Sequence, residues 1–261
     1  MSDPATPPRD EHWLYGRLTL TDAVYVGLCS MFVVVLVLTN IIGVKLFVLF
    51  PGWTPPWAES PGLVLTSGIV TYPITFLLTD VVSELWGRAR ANLMVVLGFL
   101  MSMVMLGVVL LARALPPASI WTNPDYGFDT AVAMQRAFDA NFSYPGILLG
   151  ASMLAYLVAQ LFDVRLYHFW WRLTKGRHMW LRNNGSTAIS QLVDTIIVNG
   201  IFLHFGLGLD AGTIISIIIS VYLCKLMLAA CDTPLIYLVI GWLRRVFGLG
   251  HDAAPQHAPL V

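Results

Sequence analysis

Six long apolar stretches, separated by polar and proline-containing connectors, dominate the chain. They run over about Ala23–Phe50, Gly62–Leu85, Asn92–Leu111, Pro145–Leu161, Ser186–Leu207 and Gly212–Trp242. A helix needs about 20 apolar residues to cross a hydrocarbon core roughly 30 Å thick. The pattern therefore predicts an all-α membrane protein with six transmembrane helices. The first and last stretches exceed the need, so they are expected to tilt or to project beyond the bilayer. Polar tails, Met1–Thr21 and His251–Val261, flank the apolar part and are expected to be disordered. The organisation expected is a tail over 1–21, one transmembrane domain over 22–245 and a tail over 246–261. No second domain and no low-complexity tract is visible.

The basic residues set an orientation. With the N-terminus inside, the inner segments hold Arg9, Arg17, Arg88, Arg90, Arg165, Arg172, Lys175, Arg177, Arg182, Arg244 and Arg245, against Arg113 and Arg136 outside. Cytoplasmic loops carry the excess of lysine and arginine, and an even number of spans returns the chain to its starting side. Both termini are thus expected in the cytoplasm. The first 20 residues lack an apolar core and a small-residue cleavage site, so the first span is expected to stay in the mature protein. Composition agrees with a membrane setting: 57% of the 261 residues are hydrophobic and 11% charged, where soluble domains carry about 25% charged residues. A formal net charge of zero makes no case for a nucleic-acid partner. Cys29, Cys224 and Cys231 lie in apolar runs without ligand spacing, which suggests neither disulfide nor zinc.

Polar residues inside the spans carry the chemistry, because a charge at the bilayer centre costs about 2.5–3.5 kcal/mol on insertion scales. Such residues persist when they face a cavity or pair with one another. In the second span Tyr72, Phe76, Asp80 and Glu84 follow at four-residue intervals, one broad helical face. Two aromatics above two carboxylates suit a planar ligand with N–H donors on one edge; packing for the rings, and an interfacial place beside Arg88 for Glu84, stay open. Pro73 is expected to kink that span and free backbone carbonyls. The fifth span opens on Asn183-Asn184-Gly185-Ser186-Thr187, which reads as a helix N-cap with free N–H groups. Thr187, Ser190, Gln191 and Asp194 follow on one face, Asp194 about 12 Å into the helix. Gln191 reads equally as interhelical glue. In the sixth span Lys225 and Asp232 share a face. Lys225 needs an anionic neighbour or a wet cavity, with Asp194 or Asp80 the natural partner; the pair would be structural, or part of a gate or proton path. Asn40 is cavity lining or packing, and Lys45 toward the outer interface can snorkel. Gln160 and Asp163 lie at the inner end of the fourth span, beside Arg165. If these groups converge, spans one, two, five and six enclose one polar pocket, and the third span reads as lipid-facing scaffold. The outer connector Ala112–Tyr144 holds a short helix near Thr130–Asp139. The inner stretch Val164–Asn184 mixes aromatic with basic residues, as membrane-interface belts do.

No Walker A string, no HExxH, no GxSxG and no His/Cys cluster occurs. The chain is therefore not expected to hydrolyse ATP, to be an enzyme or to hold a cofactor.

Several strings resemble the queuosine precursor transporter family, also called the vitamin uptake transporter family. They are Thr39-Asn40-Ile41-Ile42 with Lys45, Tyr72-Pro73-Ile74-Thr75-Phe76 through Thr79-Asp80 to Ser83-Glu84 and Gly87-Arg88, and Ala159-Gln160-Leu161-Phe162-Asp163 continuing to Trp180-Leu181-Arg182-Asn183-Asn184-Gly185-Ser186-Thr187 and Gln191-Leu192-Val193-Asp194, with Tyr222 and Lys225. The likeness runs from about Val24 to Trp242. It implies six helices, a multi-pass place in the bacterial inner (plasma) membrane, and uptake of 7-deazaguanine bases. Those are 7-cyano-7-deazaguanine and its 7-aminomethyl form, precursors for tRNA modification. On that reading Asp80, Glu84 or Asp194 takes the donor edge, Asn184, Gln191 or Asn40 the acceptors, and Tyr72 or Phe76 the ring face. Lys225, Asp232 and Lys45 are candidates for gating or proton coupling. The expected partners are a small deazapurine and the bilayer, with a homodimer open. Three other readings remain: a substrate-binding subunit of an ATP-energised vitamin-type uptake system, a membrane-embedded enzyme, and a structural or assembly factor, for which the polar pocket would be needless.

Overall fold

The computed structural model describes residues 13–14, 18–58, 61–173 and 179–248. Most of them are helical. A two-residue pairing of β1 (Trp13–Leu14) with β2 (Leu18–Thr19) precedes α1 (Leu20–Ile42). The Thr19 hydroxyl caps α1 by accepting the Asp22 N–H at 3.1 Å and donates to the Asp22 carboxylate at 2.8 Å, a reciprocal arrangement that satisfies an otherwise orphaned helix donor.

The first apolar stretch was expected to be helical to Phe50, but α1 stops at Ile42. Beyond Gly43 the chain forms β3 (Leu46–Leu49), paired antiparallel with β4 (Leu63–Thr66). The physical reason is local. Pro51, Gly52, Pro55, Pro56, Pro61 and Gly62 punctuate the segment between the strands, and proline cannot donate within a helix. At Gly62, φ is +84° and an added Cβ would overlap Val48 Cγ1, so only glycine fits the turn into β4. A short 3-10 turn (Ser67–Val70) leads into α2 (Tyr72–Trp86). The second helix is thus 15 residues long, about 22 Å at 1.5 Å per residue. Pro73 occupies its first turn, where a missing N–H costs nothing. The expected kink at Pro73 is absent for that reason.

α3 (Arg88–Ala114) follows, then α4 (Ala131–Phe142), capped by Thr130 and tied to α3 by the Arg113–Asp139 pair at 3.0 Å. A short helix, expected near Thr130–Asp139, is therefore present. α5 (Pro145–Leu173), α6 (Met179–Ile201) with a π-helical extension (Phe202–Gly206), and α7 (Ala211–Val246) complete the described chain. α6 begins before the Asn183–Thr187 string, so those residues lie within the helix rather than at its cap. No proline interrupts the run, and extending a formed helix costs little.

Four described helical stretches are long and apolar enough to cross a membrane: Leu20–Ile42, Ala89–Ala114, Ala188–Gly206 and Ala211–Val246. Their outward faces expose Val34, Leu38, Val104, Leu111, Met227 and Leu238, among others, as lipid contact requires.

Two apolar clusters hold the helices together. One joins Phe32 of α1, Leu78, Val82 and Trp86 of α2, Met94 of α3 and Leu243 of α7. The other joins Leu65 of β4, Ile69, Leu148 of α5, Phe202 and Leu203, and Ile214, Ile217 and Val221 of α7. At Gly98 of α3 an added Cβ would lie 2.7 Å from Leu36 and 2.8 Å from Phe32. That close approach lets α1 and α3 pack without a gap.

Candidate functional site

Two adjoining hollows lie among the helices. The larger, of about 410 Å³, is lined by residues of α1, α2, α3, α5 and α6. The smaller, of about 220 Å³, adds the 3-10 turn and α7. Thr39, Asn40, Tyr72, Thr75, Ser152 and Asp194 border both. Phe32 of one apolar cluster lines the larger hollow, and Leu148 and Val221 of the other line the smaller.

At the shared border α6 meets α7. Lys225 Nζ donates to Asp194 Oδ2 at 3.0 Å, with side-chain exposures of 12% and 25%. Those values put the pair away from bulk water, where an unpaired charge is costly. The Lys225 ammonium also lies 5.0 Å from the centre of the Tyr72 ring, a favourable cation–π distance. Oδ2 carries the one hydrogen bond that the Asp194 carboxylate makes among the described residues, which leaves Oδ1 for a ligand.

Tyr72 links this pair to the rest of the wall. Its hydroxyl donates to Gln191 Oε1 at 2.9 Å, and its ring sits 4.2 Å from that of Phe76. Thr75 donates to the Tyr72 carbonyl, and Thr79 to those of Thr75 and Phe76. Helical hydroxyls that donate backward in this way keep oxygen lone pairs toward whatever faces them. Asn40, 4% exposed, spends its amide on the Leu36 carbonyl and on Ser102 Oγ at 3.4 Å. Thr39 and Thr71 hydroxyls share a hydrogen bond of 2.7 Å between α1 and the start of α2. The wall is thus rich in acceptors: one carboxylate, amide oxygens and hydroxyls. Its donors include the Gln191 amide, the Lys225 ammonium and the Ser152 and Tyr156 hydroxyls.

The sequence-derived candidates divide. Asn40, Tyr72, Phe76, Gln191 and Asp194 line the larger hollow, and Lys225 lines the smaller. Of the two partners expected for Lys225, Asp194 is the one it meets. Asp80 and Glu84 line neither hollow. Asp80 is exposed and held by an interaction of its own, and Glu84 accepts a bond from Arg244 at 2.8 Å. A four-residue interval advances a helix by about 400°, so the face drifts about 40° per step. By Asp80 it has turned about 80° from Tyr72, and by Glu84 about 120°. The cavity face is instead Tyr72, Thr75, Phe76 and Thr79. Lys45 is exposed between α1 and β3. The side chains of Asn184 and Asp232, with those of Thr187, Gln160, Asp163 and most of the inner aromatic-basic stretch, lie outside the described residues.

Some lining residues had no place in the sequence reading. α3 contributes Val95 and Phe99, and α5 contributes Ser152 and Tyr156, with Phe99 and Tyr156 rings 5.3 Å apart. The third span is therefore more than scaffold. Ser102, a fully buried polar break in an apolar helix, was the available signal.

A family model described as "Putative vitamin uptake transporter" matches residues 66–239 of the chain. The chain belongs to this family. A protein of Bacillus subtilis (strain 168) described as a "Probable queuosine precursor transporter" is 36% identical over 183 residues, covering 67% of this chain and 72% of that protein. No solved structure matches the chain. The matched region of this vitamin-uptake-family protein contains α2 to α6 and most of α7, and so the Tyr72–Gln191 and Asp194–Lys225 contacts. With its apolar helices, it is a multi-pass membrane transporter.

Proposed function

We propose that this protein imports queuosine precursors, 7-cyano-7-deazaguanine and 7-aminomethyl-7-deazaguanine, across a bacterial inner membrane. The observation that carries the reading is Asp194, paired with the Lys225 ammonium and lining, with the Tyr72 and Phe76 rings, a hollow of about 410 Å³. That volume falls in the range of roughly 300–1,000 Å³ usual for small-ligand sites. A guanine-like edge offers two adjacent N–H donors, which a carboxylate accepts as a pair. The acceptor-rich wall suits such an edge. Gln191 serves the ring carbonyl, and the Tyr72 and Phe76 rings flank the planar face. The Bacillus subtilis relative, described as a probable queuosine precursor transporter, supports the same substrate class.

In this reading α1, α2, α3, α5, α6 and α7 are the six spans, and both termini face the cytoplasm. The β3–β4 hairpin and α4 then lie on the outer side, and the Arg90 and Arg244 ends of α3 and α7 on the inner side, as the distribution of basic residues favours. Asp80 and Glu84 fall outside the ligand site.

Purified protein in liposomes, with no ATP-driven module present, is expected to accumulate or exchange labelled 7-cyano-7-deazaguanine. Binding without movement would assign the chain to an ATP-energised system instead. No binding to any deazapurine would remove the substrate reading.

A further inference from the structure

We infer that Lys225 is a specificity-determining residue: as a built-in counter-ion to Asp194, it makes the site accept uncharged planar bases and discriminate against cationic ones. This rests on the deazapurine reading above and deepens it, since the two precursors differ in charge. The nitrile of one is neutral; the aminomethyl group of the other is an ammonium at neutral pH.

The charge balance of the hollows carries the inference. Asp194 and Lys225 are their two charged side chains among the described lining residues. They stand 3.0 Å apart and cancel. A ligand cation entering this low-dielectric space has two ways to sit, and both are penalised. With the guanine-like edge on Asp194, the aminomethyl group points to the far side of the ring, where the described wall offers hydroxyls and aromatics but no second carboxylate. A desolvated charge without a counter-ion is costly. With the ammonium on Asp194 instead, it displaces Lys225, leaves that charge with the Tyr72 ring as its contact among the described residues, and deprives the donor edge of its acceptor. A neutral base incurs neither penalty. Its two N–H donors take Asp194 Oδ1 and the second lone pair of Oδ2, while Lys225 stays on Oδ2. Specificity here is a difference in affinity produced by repulsion as much as by attraction.

The test is equilibrium binding to the purified full-length protein, with three ligands: 7-cyano-, 7-aminomethyl- and 7-hydroxymethyl-7-deazaguanine. The hydroxymethyl form matches the aminomethyl form in size but carries no charge. In the wild type at pH 7, the cyano and hydroxymethyl bases are each expected to bind at least about tenfold tighter than the aminomethyl base. In Lys225→Met, Asp194 loses its internal partner, and the aminomethyl base is expected to become the tightest of the three. In Lys225→Met combined with Asp194→Asn, the neutral bases are expected to regain the advantage. The three-ligand comparison on the wild type stands alone if the Lys225→Met protein fails to fold. Equal or tighter wild-type binding of the aminomethyl base than of its hydroxymethyl match overturns the inference. So does an unchanged order of ligands in a folded Lys225→Met protein. Binding of all three with the wrong order leaves the transporter reading intact, whereas binding of none removes both.

Discussion

Lys225 of α7 and Asp194 of α6 form an ion pair of 3.0 Å at the border of two hollows, and the same ammonium stands 5.0 Å from the Tyr72 ring of α2. Three helices are thereby joined through one charge. Removing one partner leaves the other as an uncompensated charge at a site with little water. Fully buried pairs lose about 3–5 kcal/mol when broken this way; with partial exposure here, Asp194→Asn is expected to cost about half of that. The reversed pair, Asp194→Lys with Lys225→Asp, is expected to recover most of the loss in thermal stability while transport stays impaired, because the ligand would then face the wrong charge. Thermal unfolding of both variants beside the wild type in one detergent, with uptake by the reversed pair, measures this.

The Tyr72 hydroxyl holds Gln191 at 2.9 Å, and its ring packs on Phe76 at 4.2 Å. Tyr72→Phe keeps the ring and releases the amide, at about 1 kcal/mol for one hydrogen bond. A roughly fivefold weaker substrate affinity is expected, with near-normal expression. Tyr72→Ala removes both contacts and is expected to abolish measurable binding. Titration of ligand into each variant tells the two contributions apart.

Glu84, by contrast, is half-exposed and paired with Arg244 at 2.8 Å. Pairs of that kind contribute about 0–1 kcal/mol to stability. Glu84→Gln is expected to bind substrate within about twofold of the wild type, and uptake at matched expression checks this. A large loss would return Glu84 to the ligand site.

Asp210 caps α7. Its carboxylate accepts the Thr213 N–H at 3.0 Å and the Thr213 hydroxyl at 2.7 Å, and these bonds, the backbone one foremost, hold its pKa below the ordinary carboxylate value. A depressed folded-state pKa contributes stability that is present above the unfolded value of about 3.9 and is lost as pH falls through the folded one. Melting temperature should therefore decline below about pH 4, with part of the decline missing in Asp210→Asn, which caps without titrating. Identical acid profiles would detach the decline from this residue.

The apolar membrane helices were legible because lipid imposes a composition that no soluble helix needs. The partner of Lys225 was legible for a related reason: a charge in a span requires an opposite one nearby, and Asp194 lies at a matching depth. The ends of the elements were less legible. The stretch from Ala23 to Phe50 is evenly apolar, and only Gly43 and the prolines after Phe50 hint that Leu46–Leu49 pairs as a strand. Asp80 and Glu84 line neither hollow because four-residue spacing drifts about 40° per step, so the face that Tyr72 and Phe76 share is about 80° away by Asp80. Phe99 and Tyr156 were hidden for another reason: an aromatic ring suits lipid and a cavity equally well, so its type does not say which way it points.

A structure of the protein with 7-cyano-7-deazaguanine bound tests the central claim most directly. The expected result is the base between Asp194 and the Tyr72–Phe76 rings, its donor edge within hydrogen-bond reach of Asp194 Oδ1 and the Lys225 bond still in place. A base bound elsewhere, or one that leaves Asp194 untouched, would contradict it.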